Sequence, residues 1–163
     1  MLESRPTYTR GDTMYDIAQG IKQEWLHSGR INAYTLTMLN ELILCCWSES
    51  VVDAVSRWDP ERGPYLTVYD ISAPRVAIPY LVQTRYNIHM AGVTEAGQYH
   101  VTRLMKERPG LQICMALILS DSSSGGITAR KARDNEAYNT VSRVFFSRDA
   151  AIDWLAGFLQ PAR

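Results

Sequence analysis

The clearest alternation of apolar and polar positions lies near the end of the chain. Val144-Phe145-Phe146 reads as a short buried strand running into Ser147, whose side-chain oxygen can cap a helix, with Asp149 favourably placed in the first turn. Ala151, Leu155, Phe158 and Leu159 then recur at helical spacing, Ile152 and Trp154 widen the stripe, and Pro161 ends it. Such a face must lie on something, most simply the sheet that contains the strand just left.

Upstream, residues 111–119 carry the strongest strand signal, and 65–71 form a continuous β-branched and aromatic run of the kind buried on both faces. The long connection from 72 to 109 predicts two helices. One lies around 78–88; the other is capped by Thr94, runs to Arg108 and is closed by Pro109-Gly110. Residues 42–47 are apolar and read as a strand, followed by a helix capped by Ser48 with Val51, Val55 and Trp58 as its stripe, broken at 59–64 by a turn rich in Pro and Gly. Residues 21–26 and 31–36 flank His27-Ser-Gly-Arg30 as a hairpin; a single helix over 16–26 fits Ile17, Ile21 and Trp25 equally well, with Gly20 against it. A weaker helix is expected over 128–138. Residues 1–14 read as an extended or frayed lead-in, and 15–163 as one domain. The alternation predicts a single-domain α/β layered fold, with a mostly parallel sheet of about four to five strands, right-handed crossovers and an N-terminal hairpin.

Composition narrows the function. At 163 residues the chain is the size of one core, able to bury roughly two thirds of its unfolded surface. Its formal net charge is zero, so the electrostatic footprint of a nucleic-acid binder is missing, and Arg130, Lys131 and Arg133 are followed at once by Asp134 and Glu136, as on a solvated helix face. No stretch is apolar for the ~20 residues of a membrane span. The polar N-terminus, without the apolar core of a signal peptide, points to the cytoplasm. Cys45 and Cys46 on a strand would face opposite ways, which suits neither a disulfide nor a shared metal, and Cys114 reads as a small core hydrophobe. His27, His89 and His100 lack metal-ligand spacing, so no metal is expected.

The segments 23–31, 65–72, 113–119 and 144–155 together resemble the STAS domain, more closely its SpoIIAA-like relatives, over about residues 20–160. The closing Val144-Phe-Phe-Ser-Arg-Asp-Ala-Ala-Ile-Asp-Trp-Leu155 is the most specific part of that likeness. The resemblance implies a non-catalytic domain that binds a protein partner or a small apolar ligand. Antagonists of anti-sigma factors in this family carry a phosphorylated serine in an Asp-Ser-Ser-Gly-Leu turn. Asp121-Ser-Ser-Ser-Gly-Gly126 is similar and makes Ser122, Ser123 and Ser124 candidates for modification, although here the turn follows the next strand and continues Gly-Gly-Ile.

Ligands of open α/β sheets sit outside the carboxyl ends of the strands, which selects Asp70, Ser72 and Asp121. Paired there, the two acids could share a proton or hold Mg²⁺, giving a ligand-binding or enzymatic alternative; capping of the following helices is the structural one. No G-x-G-x-x-G, Walker lysine or G-x-S-x-G elbow is present, so no cofactor is called for and no nucleophile is named. If the long connection builds a pocket, Ile78, Tyr80, Tyr86 and their apolar neighbours line it. An apolar share of 46%, with Trp47 and Trp58 as exposed candidates, leaves homodimerisation open.

Overall fold

The computed structural model describes residues 13–76, 92–120, 135–137 and 139–159. One seven-stranded sheet organises them. Its strands in chain order are β1 (Thr13–Ala18), β2 (Ile21–Leu26), β3 (Ile31–Leu36), β4 (Tyr65–Asp70), β5 (Ile113–Ile118), β6 (Asn135–Ala137) and β7 (Thr140–Phe145), and its helices are α1 (Glu41–Arg57), α2 (Glu95–Glu107) and α3 (Arg148–Ala156). The spatial order is β1-β2-β3-β4-β5-β7-β6. Short 3-10 turns cover Pro60–Arg62 and Gly157–Leu159.

The sheet is mixed rather than mostly parallel. β3, β4, β5 and β7 pair parallel, whereas β1 with β2, β2 with β3 and β6 with β7 are antiparallel. The reason is connection length: turns of a few residues can only reverse a strand, while α1 and α2 give the longer crossovers that parallel pairing requires. The helix alternative for 16–26 fails because Gly20 takes φ 92 in a turn between β1 and β2. In the next turn His27, Ser28 and Gly29 all have positive φ, so three left-handed residues, not one glycine, make the reversal. β1 begins inside the stretch expected as lead-in.

A second correction concerns residues 42–47. They are not a strand but the first half of α1, and the cap is Asn40, whose side chain accepts from the Ile43 amide at 2.9 Å. Ile43, Trp47, Val51 and Val55 recur every four residues on its buried face, and Ser48 is an interior residue. Trp47 and Trp58 are 0% and 3% exposed, so neither is a surface dimerisation candidate. Cys45 is exposed and Cys46 half-buried, both on this helix. Residues 135–137, expected at the end of a helix, form an edge strand.

The helix expected around 78–88 lies outside the described residues, β7 begins earlier than the expected strand at 144–146, and β4, β5, α2 and α3 stand where the pattern put them. β4 and β5 are buried along nearly their whole length. Thr94 caps α2 and Ser147 caps α3 through side-chain oxygens. One sheet face packs under α1 and α2 around Tyr34, Trp47, Tyr65, Tyr69 and Met115. The other packs under α3, which buries Ala151 and Leu155 against Ile31, Leu66, Val68, Cys114 and Ala116. Beside it, Trp154 touches both Phe145 and Phe158, with ring centroids 5.5 and 5.3 Å away.

α1 and α2 meet at small residues. Ser48 Oγ donates to the Gly92 carbonyl and lies 2.8 Å from Thr94 Oγ1, and Gly97 sits against the same two groups. A Cβ on Gly97 would overlap the Gly92 carbonyl and Ser48 Oγ. Gly97→Ala should therefore destabilise by about 1–3 kcal/mol through overpacking. Gly157→Ala, where the backbone is helical and a Cβ meets nothing within 4 Å, should be neutral or stabilising by up to about 1 kcal/mol. Urea unfolding of the two variants beside wild type measures the contrast.

Candidate functional site

At the carboxyl end of the parallel strands, Asp70 stands in register between Thr35 on β3 and Ile118 on β5. Its Oδ1 accepts from the backbone N–H of Ser72 at 3.1 Å and from the Ser72 hydroxyl at 2.6 Å. The pair closes on itself as an Asx-type turn ahead of residues 74–76. Asp121, the candidate pocket residues Ile78, Tyr80 and Tyr86, and the serines Ser122, Ser123 and Ser124 lie outside the described residues. Of the predicted constellation, the structure thus brings together Asp70 and Ser72.

Close by is a tie that the sequence reading missed. Arg148, the first residue of α3, reaches Glu24 Oε2 at 2.5 Å and donates to Thr35 Oγ1 at 3.1 Å. Both partners are on neighbouring strands, and the pair's side chains are 33% and 22% exposed, so the contact is partly shielded from water. It fixes the start of α3 against the antiparallel half of the sheet.

Of the seven large exposed hydrophobics among the described residues, Met14 and Tyr15 lie on β1 and Phe158 after α3, and the other four stand on segments at the carboxyl end. Met38 and Leu42 follow β3, and Phe146 follows β7. Tyr99 belongs here too: α2 leads into the amino end of β5, so its first turns lie over the carboxyl ends. Leu42, Tyr99 and Phe146 are 71%, 74% and 56% exposed. A shallow depression of about 290 Å³ at the β1–β2 turn, lined by Asp16, Gln19, Lys22 and Thr37 among others, is bordered by exposed side chains.

A second constellation is buried under α1. Asn32, fully buried on β3, donates through Nδ2 to the hydroxyls of Tyr34 at 3.0 Å and Tyr65 at 2.8 Å. Its Oδ1 accepts from Gln23 Nε2 at 3.0 Å, and its backbone carbonyl accepts from Thr67 Oγ1 at 3.0 Å. Gln23 Nε2 also reaches the Tyr34 hydroxyl, which lies 3.1 Å from Ser50 Oγ on α1. Burial raises the Tyr34 phenol above its ordinary value, and raises Tyr65 well above it. Both remain neutral donors at physiological pH. Beside the network, Trp25 stacks on Trp58 with rings parallel within 2° and centroids 6.5 Å apart, and the Arg62 guanidinium lies over Trp58. The sequence carried little sign of this cluster, since Gln23, Asn32, Tyr34 and Tyr65 fell within expected strands and Ser50 within an expected helix.

Among the described residues no group of three or more His, Cys, Asp or Glu could hold a metal ion, and no helix is long and apolar enough to cross a membrane. Burial pushes the Cys114 thiol up to about 11, as befits the core hydrophobe expected from sequence. The fold defines an α/β class with a mixed seven-stranded sheet covered by helices on both faces. No protein family, curated protein or solved structure matches the chain.

The raised phenols make a pH prediction. The folded state holds these protons more tightly than the unfolded state, so their contribution is complete below the ordinary phenol value of 10.0 and is lost as pH rises from there through the raised folded values. Tyr65→Phe should flatten the alkaline fall in stability. At neutral pH it should cost about 1–3 kcal/mol, because one Asn32 N–H loses its acceptor. Urea midpoints between pH 7 and about 11 test both, and an unchanged alkaline slope would assign the fall to other groups.

Proposed function

We propose that the chain is a non-catalytic binding or regulatory module of STAS-like type, recognising a protein partner or a small apolar ligand at the carboxyl-end rim of its sheet. The observation that carries this reading is that the exposed Met38, Leu42, Tyr99 and Phe146 all stand on loops or early helical turns at the carboxyl end of the sheet. Scattered single hydrophobics are ordinary on a surface; several at the mouth of an α/β sheet are the material of an interface. The antiparallel opening hairpin, the parallel β3-β4-β5-β7 core and the capped terminal helix are in keeping with the resemblance. Asp70 supports recognition over proton transfer, since its carboxylate already accepts two hydrogen bonds from Ser72. The reading places the module in the cytoplasm, without nucleic acid as a partner and with self-association left open.

Immobilised wild-type chain, exposed to extract of its own cell, should retain a partner or a small adduct that a Leu42→Asp/Phe146→Asp chain loses. The two proteins should differ in unfolding free energy by less than about 1 kcal/mol, as exposed sites do. Native mass spectrometry identifies either kind of ligand. Equal retention by both chains would move recognition away from the rim.

A further inference from the structure

β1 (Thr13–Ala18) lies at one end of the sheet and pairs with β2 alone. Its outer row of backbone N–H and C=O groups has no partner among the described residues, and such a row is a template for a further strand. At the opposite end of the sheet β6 (Asn135–Ala137) is half as long and offers little to pair with.

The side chains of β1 carry few of the usual guards of an edge. The strand has no proline and no lysine, and Asp16 is its one charged residue. Its irregularity falls between Asp16 and Ala18, after a regular stretch that begins at Thr13. Met14 and Tyr15 are 58% and 38% exposed and lie on opposite faces. Tyr15 stands opposite Gln23, on the α1 side, and Met14 opposite Glu24, which meets Arg148 on the α3 side. A partner docked on one face would cover one of them; a strand added along the edge flanks both.

The chemistry of this edge favours a second copy of the chain. Formal net charge is zero, so no overall repulsion holds two copies apart. Pairing of β1 with the short β6 would propagate head to tail, whereas β1 with β1 closes on a two-fold axis as an antiparallel pair. Because paired residues share a face, that axis passes through a residue of the strand. Centred on Asp16 it would set two carboxylates opposite one another, and centred on Met14 it would pair only Thr13–Tyr15 of the strand with itself. Centred on Tyr15 it pairs Thr13 through Ile17 and sets each Met14 opposite Asp16 of the other copy.

We propose that β1 is the interface of a homodimer, in which two copies join edge to edge, antiparallel about a two-fold axis at Tyr15, and the sheet runs on from one molecule into the other. One strand pair buries less than the roughly 1,200 Å² at which standard interfaces begin, so the dimer is a weak one, in the micromolar range. It does not involve the rim residues Leu42 and Phe146 and does not rest on the partner-binding reading.

The test is sedimentation equilibrium of the purified full chain from micromolar to near-millimolar concentration, with circular dichroism to show that each variant is folded. Wild type should pass from monomer to dimer over this range. Met14→Asp, which sets a second carboxylate opposite Asp16 at two places in the dimer, should weaken it roughly fivefold. Met14→Lys, which sets an ammonium there, should tighten it by a similar factor, and Leu42→Asp/Phe146→Asp should leave it intact. A wild type that stays monomeric, growth beyond a dimer, a dimer unchanged or weakened by both Met14 substitutions, or a dimer lost in the rim variant would each overturn the proposal.

Discussion

The hydrogen-bonding demand of one buried carboxamide holds the sheet in register. Asn32 lies on β3, the strand at which pairing changes from antiparallel on the β2 side to parallel on the β4 side. Its side chain takes a partner from each direction, Gln23 on β2 and Tyr65 on β4, while its carbonyl receives Thr67. A slip of one residue in either neighbour would turn Gln23 or Tyr65 to the opposite face. That would strand a fully buried polar group, at a cost of about 1–3 kcal/mol for each unmet bond. Apolar packing alone tolerates such errors better than a network with fixed donors and acceptors.

The helices are placed by similar polar ties at their ends. Arg108, just after α2, donates to the carbonyls of Val55, Ser56 and Trp58 and so satisfies the open C-terminus of α1. Thr94 and Ser48 join the start of α2 to the middle of α1, and Arg148 joins the start of α3 to β2 and β3. Between these ties the contacts are close-packed aromatics, such as Trp47 edge-on to Tyr69 at 5.0 Å. Fixed helix starts have a consequence for recognition: Leu42 stands in the first turn of α1, Tyr99 in the second turn of α2, and Phe146 directly precedes the capped start of α3.

What the sequence made legible follows from the range of the interactions involved. Ser147 and Thr94 were readable because an N-cap is decided within three residues, and β4 and β5 because burial on both faces leaves an unbroken apolar run. Residues 42–47 were misread for the same reason, since an apolar run does not distinguish strand from helix; the deciding signal was Asn40-Glu41, a cap and a first-turn acid lying just before it. The parallel share of the sheet was overestimated, and its size put at four to five strands instead of seven, because the antiparallel edge strands β1 and β6 were not foreseen. At the candidate site, Asp70 and Ser72 were locatable from strand polarity. Gln23, Asn32 and Ser50 were not, because their roles depend on contacts between strands and helix that no local spacing records.

Proton affinity connects the architecture to the proposed chemistry. Tyr34, Tyr65 and Cys114 are all shifted by burial in the same direction, toward holding their protons. A general acid or base works best with an affinity near the ambient pH, and these shifts lead away from it. A neutral phenol with a fixed proton is instead a permanent donor, able to orient the groups around it. Tyr34 stands among such groups, with Ser50 Oγ 3.1 Å and Asn32 Nδ2 3.0 Å from its hydroxyl. The core network, built for register, thereby also ties α1 to the sheet through the contact between Tyr34 and Ser50.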